Sequence, residues 1–417
     1  MKVTCQIAVI GGGPAGMAAA VAAYDRGCRD IVILDREDAM GGILRQCIHP
    51  GFGLHRLGRE LTGPEYAAEF AAMVRDRGIP VYTGTTVTEI SRDRVITARN
   101  RQGILTIHAA AVILAMGCRE RSRGQLTIPG SRPAGVYTAG TAQKLVNSMG
   151  YRVGSRAVIL GSGDIGLIMA RRLTLEGAKV EAVCEVMSYS GGLARNITQC
   201  LEDFGIPLYL STTVTKIHGR KRVEGVTAAQ VDDRRRPIAG TERYIPCDTL
   251  LLSCGLIPEN ELSRAAGVLL DPDTSGPVVD QNRETTVPGI FACGNVLHVH
   301  DLVDHVSREA ELAGQAAADF VLGKASCAQI VATEAGQGVR YVLPQRLKTG
   351  TGEPVELYFR PAAPMGACRI RVCCGGREAA AFSRLHAAPG EMERITLPPA
   401  VVDALDATVT VVLEEEI

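Results

Sequence analysis

Two glycine-rich turns carry the residues best suited to holding a charged ligand. Each turn follows an apolar strand pattern, opens an Ala- or Leu-rich helix, and precedes an acidic residue 19 positions past its last glycine. They comprise Gly11, Gly13 and Gly16 with Asp35, and Gly161, Gly163 and Gly166 with Glu185. The first glycine permits a tight bend, the second lets backbone approach a pyrophosphate, and the third lets helix and strand pack closely. With the acid placed to bind a ribose 2′-hydroxyl, the pattern predicts two dinucleotide sites.

A second candidate is the segment RQCIHPGFGLH, residues 45–55, which gathers one thiol and two imidazoles between glycines. Cys47, His49 and His55 lack a fourth ligand at a spacing typical of zinc sites, so no metal site is predicted. Cys47 is either a reactive thiolate, if a neighbour lowers its pKa, or an inert buried thiol.

Histidines are concentrated near two places in the chain. Five of the eight fall in RQCIHPGFGLH or in HVHDLVDH at 298–305, and neither segment has metal-site spacing. Histidine is the side chain best suited to proton transfer near neutral pH. One of His49, His55, His298 or His300 is therefore a predicted proton partner, and the alternative is a set of structural histidines with satisfied hydrogen bonds.

The elements that must position these residues come from one unit used twice. The glycine turns, and the glycine pairs that follow them, are 150 residues apart in the two copies. The offset falls to 127 between GIPVYTGTTVTEI at Gly78 and GIPLYLSTTVTKI at Gly205. The first copy therefore carries 23 extra residues, about Gln46 to Ala68, which its sister lacks.

The extra segment ends in a helix start. In LTGPEYAAEF, Thr62 and Glu65 form a capping-box pattern with Pro64 in the first turn. We expect a helix from there to about Arg77, and a loop over 46–61.

A third apolar strand, GIFACGN at 289–295, has no repeat of its own and precedes a helical pattern rich in small residues. The simplest assembly is a first domain of 1–130 and 281–328, with a second domain, 131–280, inserted into it. Short β-type runs broken by Gly and Pro then predict a small β-rich domain at 330–417.

Composition excludes several classes of function. The 417 residues are 46% hydrophobic, and 45 basic residues balance 45 acidic ones, so nucleic acid is not an expected partner. The first strand begins within ten residues, and no apolar run approaches the ~20 residues that span a bilayer. Thirteen scattered cysteines, an odd number, do not indicate a disulfide framework. These features predict a cytoplasmic enzyme with no transmembrane segment.

Two such turns in an interrupted chain resemble the two-dinucleotide-binding-domain flavoproteins, the superfamily of thioredoxin reductase and lipoamide dehydrogenase. The resemblance covers about residues 5–325. It implies an α/β fold in which an FAD domain is interrupted by an inserted NAD domain, both Rossmann-like, followed here by the small β-rich domain. The implied FAD-binding residues are Gly11, Gly13, Pro14, Ala15, Gly16, Asp35, Arg36, Gly41, Gly42, Val87, Ala115, Gly117, Gly294 and Asn295. Asn295 departs from the family, which usually has Asp at this position.

In the inserted domain the resemblance implies a nucleotide site, formed by Gly161, Gly163, Ile165, Gly166, Glu185 and Gly255. A carboxylate at Glu185 repels a 2′-phosphate, and no arginine follows it in EVMSYS, so NADH is favoured over NADPH. The alternative is a structural adenine-nucleotide site, or an empty one.

The redox disulfide of thioredoxin reductase and lipoamide dehydrogenase is not expected here. The chain has no Cys-x-x-Cys. Cys368 and Cys373, on a strand pattern, would lie ~16 Å apart at ~3.3 Å per residue, which is too far to bridge. A single-cysteine role at Cys47 remains open, and the predicted catalytic residues are Cys47, His49 and His298.

Within the superfamily, GCRER and GPEYA resemble the flavoprotein subunits of opine oxidase, hydrogen cyanide synthase and sarcosine oxidase α-type proteins. The leading hypothesis is an FAD-dependent oxidoreductase that exchanges hydride with NAD(H), and electrons with a small molecule, a second flavoprotein or an iron-sulfur subunit. The alternative is an electron-relay subunit whose substrate site lies on another chain. A third hypothesis is a nucleotide sensor without turnover.

Overall fold

A computed structural model describes residues 2–324 and 329–416. Up to residue 120 the elements are β1 (Lys2–Ile10), α1 (Pro14–Asp25), β2 (Ile31–Leu34), a 3-10 turn (Gly42–Gln46), β3 (Pro50–Phe52), β4 (Leu61–Thr62), α2 (Gly63–Asp76), β5 (Val81–Tyr82), β6 (Thr86–Ile90), β7 (Val95–Asn100), β8 (Gly103–Leu114) and β9 (Cys118–Glu120).

The next segment has the following elements: α3 (Arg123–Leu126), β10 (Val136–Thr138), α4 (Ala139–Gln143), a π turn (Lys144–Ser148), β11 (Arg156–Leu160), α5 (Asp164–Leu175), β12 (Lys179–Cys184), α6 (Ala194–Cys200), a 3-10 turn (Glu202–Phe204), β13 (Leu208–Tyr209), β14 (Thr212–His218), β15 (Gly225–Gln230), β16 (Arg243–Pro246), β17 (Thr249–Leu252) and β18 (Leu256–Pro258).

The remaining elements are α7 (Glu261–Ala265), β19 (Ile290–Ala292), a 3-10 turn (Gly294–Val296), α8 (Val303–Val321), β20 (Gln329–Ala335), β21 (Val339–Leu343), β22 (Arg346–Thr349), β23 (Val355–Pro361), β24 (Cys368–Cys374), β25 (Arg377–Arg384), β26 (Glu393–Leu397), α9 (Pro399–Asp403) and β27 (Val409–Glu415).

Contacts divide the chain into two compact units, one of residues 1–118 and 258–417 and the other of residues 119–257. The first unit has a parallel sheet in the order β5-β2-β1-β8, with β19 also parallel to β8 and with β7 and β6 added antiparallel. The second unit has a parallel sheet in the order β10-β17-β11-β12-β13, beside an antiparallel β14-β15-β16 sheet. The same plan in both units confirms the predicted α/β fold with two Rossmann-like sheets.

Small residues let α1 and α8 pack closely over the first sheet. A Cβ at Gly314 on α8 would lie 2.1 Å from the carbonyl oxygen of Ala19 on α1, so only glycine fits there. Both helices share one buried cluster with Phe70, Phe291 and other apolar side chains. This packing fixes the first turns of α1 and α8, where the candidate site lies.

The C-terminal region is β-rich, as predicted, and has its own core. Its sheets have the orders β22-β20-β27-β24-β25 and β21-β23-β26. Buried residues such as Leu357, Ile370 and Leu413 fill the space between them.

The contacts differ from the predicted boundaries in three respects. Residues 119–130, assigned to the first domain, belong to the second unit, where Ile128 shares a buried cluster with Val158. Residues 258–280, assigned to the inserted domain, pack with the first unit: Ala266 and Val279 share a buried cluster with Ile90. The C-terminal strands also join this unit, because Tyr358 belongs to the same cluster. Burial of apolar side chains, which repeat spacing does not reveal, sets these limits.

No helix among the described residues is long and apolar enough to cross a membrane.

Candidate functional site

The first glycine turn, between β1 and α1, is built around two positions that exclude a side chain. A Cβ at Gly11, whose φ is +111°, would lie 2.3 Å from the carbonyl oxygen of Ala115. A Cβ at Gly16 would lie 1.8 Å from the carbonyl oxygen of Gly11. These two glycines are therefore required by the fold itself.

Gly13 differs, because the space around it is open. It is the N-cap of α1, with φ −75° and ψ −173°, and no side chain caps the helix. A Cβ there would meet only Gly42 Cα, at 3.9 Å. Uncapped amides and a helix dipole facing open space suit a bound pyrophosphate, so the turn fits the ADP half of FAD.

Asp35 lies beside this turn at the end of β2. Its Oδ2 accepts a hydrogen bond from the Gly12 amide at 2.6 Å, and its Oδ1 accepts one from the Glu37 amide at 2.7 Å. Burial raises the pKa of the carboxyl group, and the two amide hydrogen bonds oppose that rise. The acid is therefore anchored where the dinucleotide pattern places a ribose-binding group.

The glycines predicted on distant segments meet at this turn. The Gly41 amide donates to the Gly12 carbonyl oxygen at 2.8 Å. A Cβ at Gly42 would lie 3.0 Å from Gly13 Cα, and one at Gly294 would lie 2.8 Å from Ala15 Cβ. Two segments that are distant in sequence, at Gly41-Gly42 and at Gly294, thus approach the N-terminus of α1.

The other predicted FAD residues lie on several elements of the first unit. Gly117, with φ +73°, follows β8, and Pro14 is the first residue of α1. Asn295 accepts a hydrogen bond from the His300 amide at 3.1 Å, and its Nδ2 lies 3.5 Å from Cys118 Sγ. Arg36 is exposed after β2, and Val87 is half-buried on β6.

Next to Gly294 lies a buried charge cluster centred on Glu309 of α8. Its Oε1 accepts hydrogen bonds from Arg283 Nε at 3.1 Å and from His298 Nε2 at 3.2 Å. Its Oε2 accepts from His300 Nε2 at 2.9 Å and from the Gly294 amide at 2.8 Å. The cluster connects the 3-10 turn after β19 to α8.

The cluster fixes the protonation and tautomer of His298. Burial, with help from His300, lowers the pKa of His298 to about 4. Burial alone would raise the pKa of Glu309, but His300, His298 and Arg283 hold it well below its ordinary value. A carboxylate only accepts hydrogen bonds, so each imidazole presents Nε2–H to it. The Nδ1 atoms of both imidazoles are buried and have no hydrogen-bond partner among the described residues. They are therefore buried acceptors with no donor among these residues.

Three of these side chains meet the geometry of a metal site. The ligand atoms of His298, His300 and Glu309 lie within 4.8 Å of one another. However, the guanidinium of Arg283 already bonds the same carboxylate. A metal ion there would face an adjacent fixed cation, so the donor set favours the hydrogen-bonded ion cluster.

The residues of RQCIHPGFGLH separate in the structure. Cys47 follows the 3-10 turn, its Sγ lies 3.4 Å from the Ile43 carbonyl oxygen, and burial raises its pKa to about 12. His49 Nδ1 lies 3.1 Å from the carbonyl oxygen of Pro50. His55 instead approaches His305, with ring centroids 6.4 Å apart. Burial thus favours a neutral thiol over the hypothesised thiolate.

Sequence reasoning missed Arg283, Glu309 and Asp304. The side chains of Arg283 and Glu309 are almost completely buried, an unusual state for charged groups, which then need each other. The sequence offered one indication: Glu309 lies on the face of α8 that otherwise carries small residues. Asp304 accepts hydrogen bonds from the amides of Gly53 and Arg56, both at 3.2 Å, and so fastens the insertion to α8.

The second unit repeats the glycine turn between β11 and α5. A Cβ at Gly161 would lie 2.1 Å from the Ser253 carbonyl oxygen, and one at Gly166 would lie 2.8 Å from Ser253 Cβ. Gly163 is the N-cap of α5, and no side chain caps the helix. A Cβ added at Gly163 would lie 3.6 Å from Ser253 Oγ, so the space around it is again open. Ile165 lies in the first turn of α5, and Gly255, with φ +96°, follows β17.

Glu185 occupies the position that matches Asp35. Its Oε2 accepts from the Ser162 amide at 2.9 Å and from Ser162 Oγ at 2.7 Å, and its Oε1 accepts from the Met187 amide at 2.9 Å. The carboxylate is buried at the rim of the turn. The second turn therefore also fits an adenine dinucleotide.

Comparison with known proteins agrees with this geometry. The profile of the pyridine nucleotide-disulphide oxidoreductase family matches residues 5–318. The chain belongs to this family. Its members are oxidoreductases that bind FAD and NAD(P)H, and this confirms the predicted superfamily, enzyme class and cofactors. No disulfide joins any of the twelve cysteines among the described residues, as expected from their spacing.

Curated relatives of this oxidoreductase include one of the subunits of opine oxidase from Agrobacterium tumefaciens, 27% identical over 85% of this chain and 74% of the relative. The ferredoxin–NAD(+) reductase component of a benzene 1,2-dioxygenase system from Pseudomonas putida is 30% identical over 70% of this chain and 66% of the relative. Among solved structures, thioredoxin reductase of T. acidophilum shares the fold, with TM-score 0.63 and 24% identity over 76% of this chain and 98% of that one. The predicted resemblance to opine oxidase is confirmed.

Proposed function

We propose that this oxidoreductase is linked to NADH rather than NADPH, and that it passes electrons between NADH and a second protein or a small molecule. The observation that carries the first part is Glu185, held in place by Ser162 and Met187. A fixed carboxylate at the ribose end of the turn accepts from a 2′-hydroxyl and repels a 2′-phosphate.

The chain's own residues bind and orient the two cofactors. The first turn, with Gly13 and Asp35, would hold FAD, and the second turn, with Gly163 and Glu185, would hold NADH. When both are bound, these cofactors supply hydride transfer, and the flavin can then pass electrons to other acceptors. In the first unit, the cluster around Glu309 keeps His298 neutral, with Nδ1 able to accept a hydrogen bond. We therefore propose His298, rather than Cys47, as a hydrogen-bond acceptor for the bound cofactor or substrate.

A second candidate is an electron-relay subunit whose substrate site lies on another chain. It is favoured by the similarity, over 85% of this chain, to a protein that is itself one of the subunits of opine oxidase. In that case flavin reduction would require a partner and its substrate, with no response to NADH alone.

Replacement of Glu185 tests the nucleotide preference. Glu185→Gln removes the charge but keeps an acceptor, so we expect the preference for NADH over NADPH in flavin-reduction rate to fall by about tenfold. Glu181→Gln is the matched control, because Glu181 lies on the same strand, β12, and pairs with Arg156 and Lys179. An unchanged preference in Glu185→Gln, or a wild-type enzyme that favours NADPH, would contradict the assignment.

A further inference from the structure

The first unit contains a cavity of about 280 Å³ whose lining includes three arginines and one acidic residue. It is lined by His55, Arg56, Asp304, His305, Arg308 and Arg394. These residues come from three places: the insertion, the first two turns of α8, and β26 of the C-terminal region. We refer to it as the Arg–His pocket. It combines the insertion, which the sister repeat lacks, with a region beyond the family match at 5–318.

The acids near the Arg–His pocket are already engaged. Asp304 accepts from two backbone amides of the insertion. Glu311 pairs with Arg56, and Glu356 pairs with Arg308 at 2.5 Å and with Arg394 at 3.5 Å. Neither glutamate lines the cavity. These two glutamates orient the guanidinium groups, and each is called a brace below.

Each guanidinium retains donors after these pairings. An arginine has five N–H groups in a planar fork, and the fork matches a carboxylate or a phosphate. Arg308 and Arg394 share one brace, Glu356, and each uses one nitrogen in the contact. The volume is near the lower end of small-ligand pockets, which suits a compact metabolite.

We propose that the Arg–His pocket binds a small organic anion through a carboxylate or phosphate group. Such a ligand would be a substrate or an effector of the enzyme. The proposal goes beyond the proposed electron-transfer function, because binding at this pocket does not depend on hydride chemistry.

Histidine protonation should make binding depend on pH. His305 is partly buried, and it faces His55, His300 and Arg394, with Asp304 as the opposing charge. Burial, followed by the nearby His300, Arg394 and His55, lowers the pKa of His305. A bound anion supplies negative charge to the imidazole and favours its protonated form, so affinity should rise as pH falls from about 7 to about 6.

Isothermal titration of the FAD-loaded protein tests this proposal, with inorganic phosphate and malonate as separate probes. We expect saturable binding of at least one probe at about 1 mM or tighter, weakened about tenfold or more in Arg394→Gln and in Arg308→Gln. The probe that binds more tightly identifies the preferred group. Arg369→Gln is the matched control, because Arg369 pairs with Glu378 on the surface of β24 and β25.

In the same titrations His305→Gln should remove most of the pH dependence. The proposal is overturned if neither probe binds saturably to the wild-type protein, or if Arg394→Gln and Arg308→Gln both bind as wild type does. Flavin reduction by NADH, measured on the same samples, separates the two ideas: loss of anion binding with normal reduction contradicts only the pocket.

Discussion

The buried histidine His298 predicts how the stability of the first unit changes with pH. Its pKa falls from the ordinary 6.5 to about 4 because of burial and the neighbouring His300. His298 therefore binds a proton near pH 6.5 in the unfolded chain but only near pH 4 in the folded chain. Stability that is fully present above about pH 6.5 is lost as pH falls through this interval.

The size of the effect follows from that interval. At about 1.4 kcal/mol for each pH unit, His298 should cost about 3 kcal/mol of unfolding free energy between about pH 7 and about pH 4. The contribution of Glu309 begins to be lost as pH falls through its ordinary pKa of 4.5, and the loss continues towards the much lower folded pKa. Most of the His298 loss therefore occurs at higher pH than the Glu309 loss.

The perturbation is His298→Gln, which retains an N–H donor for Glu309 but does not titrate. Urea unfolding should be followed by far-ultraviolet circular dichroism, because the chain has no Trp. We expect the unfolding free energy of the wild type to fall by about 3 kcal/mol more than that of the variant between about pH 7 and about pH 4. His108→Gln, at an exposed position on β8, is the control. Parallel pH profiles for wild type and His298→Gln would refute the reasoning.

Two further substitutions test the site itself. Gly13→Ala should fold normally yet bind FAD at least about tenfold more weakly, since its Cβ meets only Gly42 Cα at 3.9 Å, whereas Gly11→Ala should lower the melting temperature because of its φ of +111°. Equal behaviour of the two variants in flavin retention and thermal melting would count against this distinction. Cys47→Ser should leave the rates of flavin reduction and reoxidation unchanged, because burial keeps this thiol neutral; a clear loss of either rate would restore a direct role.

Local chemistry made much of the fold predictable. Glycine spacing located both turns, since a Cβ at Gly11 or Gly161 collides with backbone. The capping box at Thr62 and Glu65 starts α2 as expected, with the Thr62 amide donating to Glu65 Oε2 at 2.8 Å. The offset between the repeats located the insertion, which folds mostly as a loop with the short β3–β4 pair.

The rest depended on contacts between residues far apart in the chain. Arg283 and Glu309 stabilise each other across 26 positions, and neither belongs to a motif. The Arg–His pocket needs Arg394, which lies more than 300 residues beyond His55 in the sequence. Periodicity and spacing report on neighbours within an element, so they do not reveal such tertiary charge clusters.

Anaerobic reduction of the purified, FAD-loaded protein by NADH tests whether this nucleotide transfers hydride to the flavin. We predict rapid bleaching of the visible flavin absorbance by NADH, slower bleaching by NADPH, and a rate that Gly163→Ala lowers without unfolding the chain. Gly163 has φ −66° and room for a methyl group, so this variant perturbs nucleotide approach alone. No bleaching by either nucleotide, with bleaching only when a partner and its substrate are added, would contradict direct reduction by NADH and favour the electron-relay role.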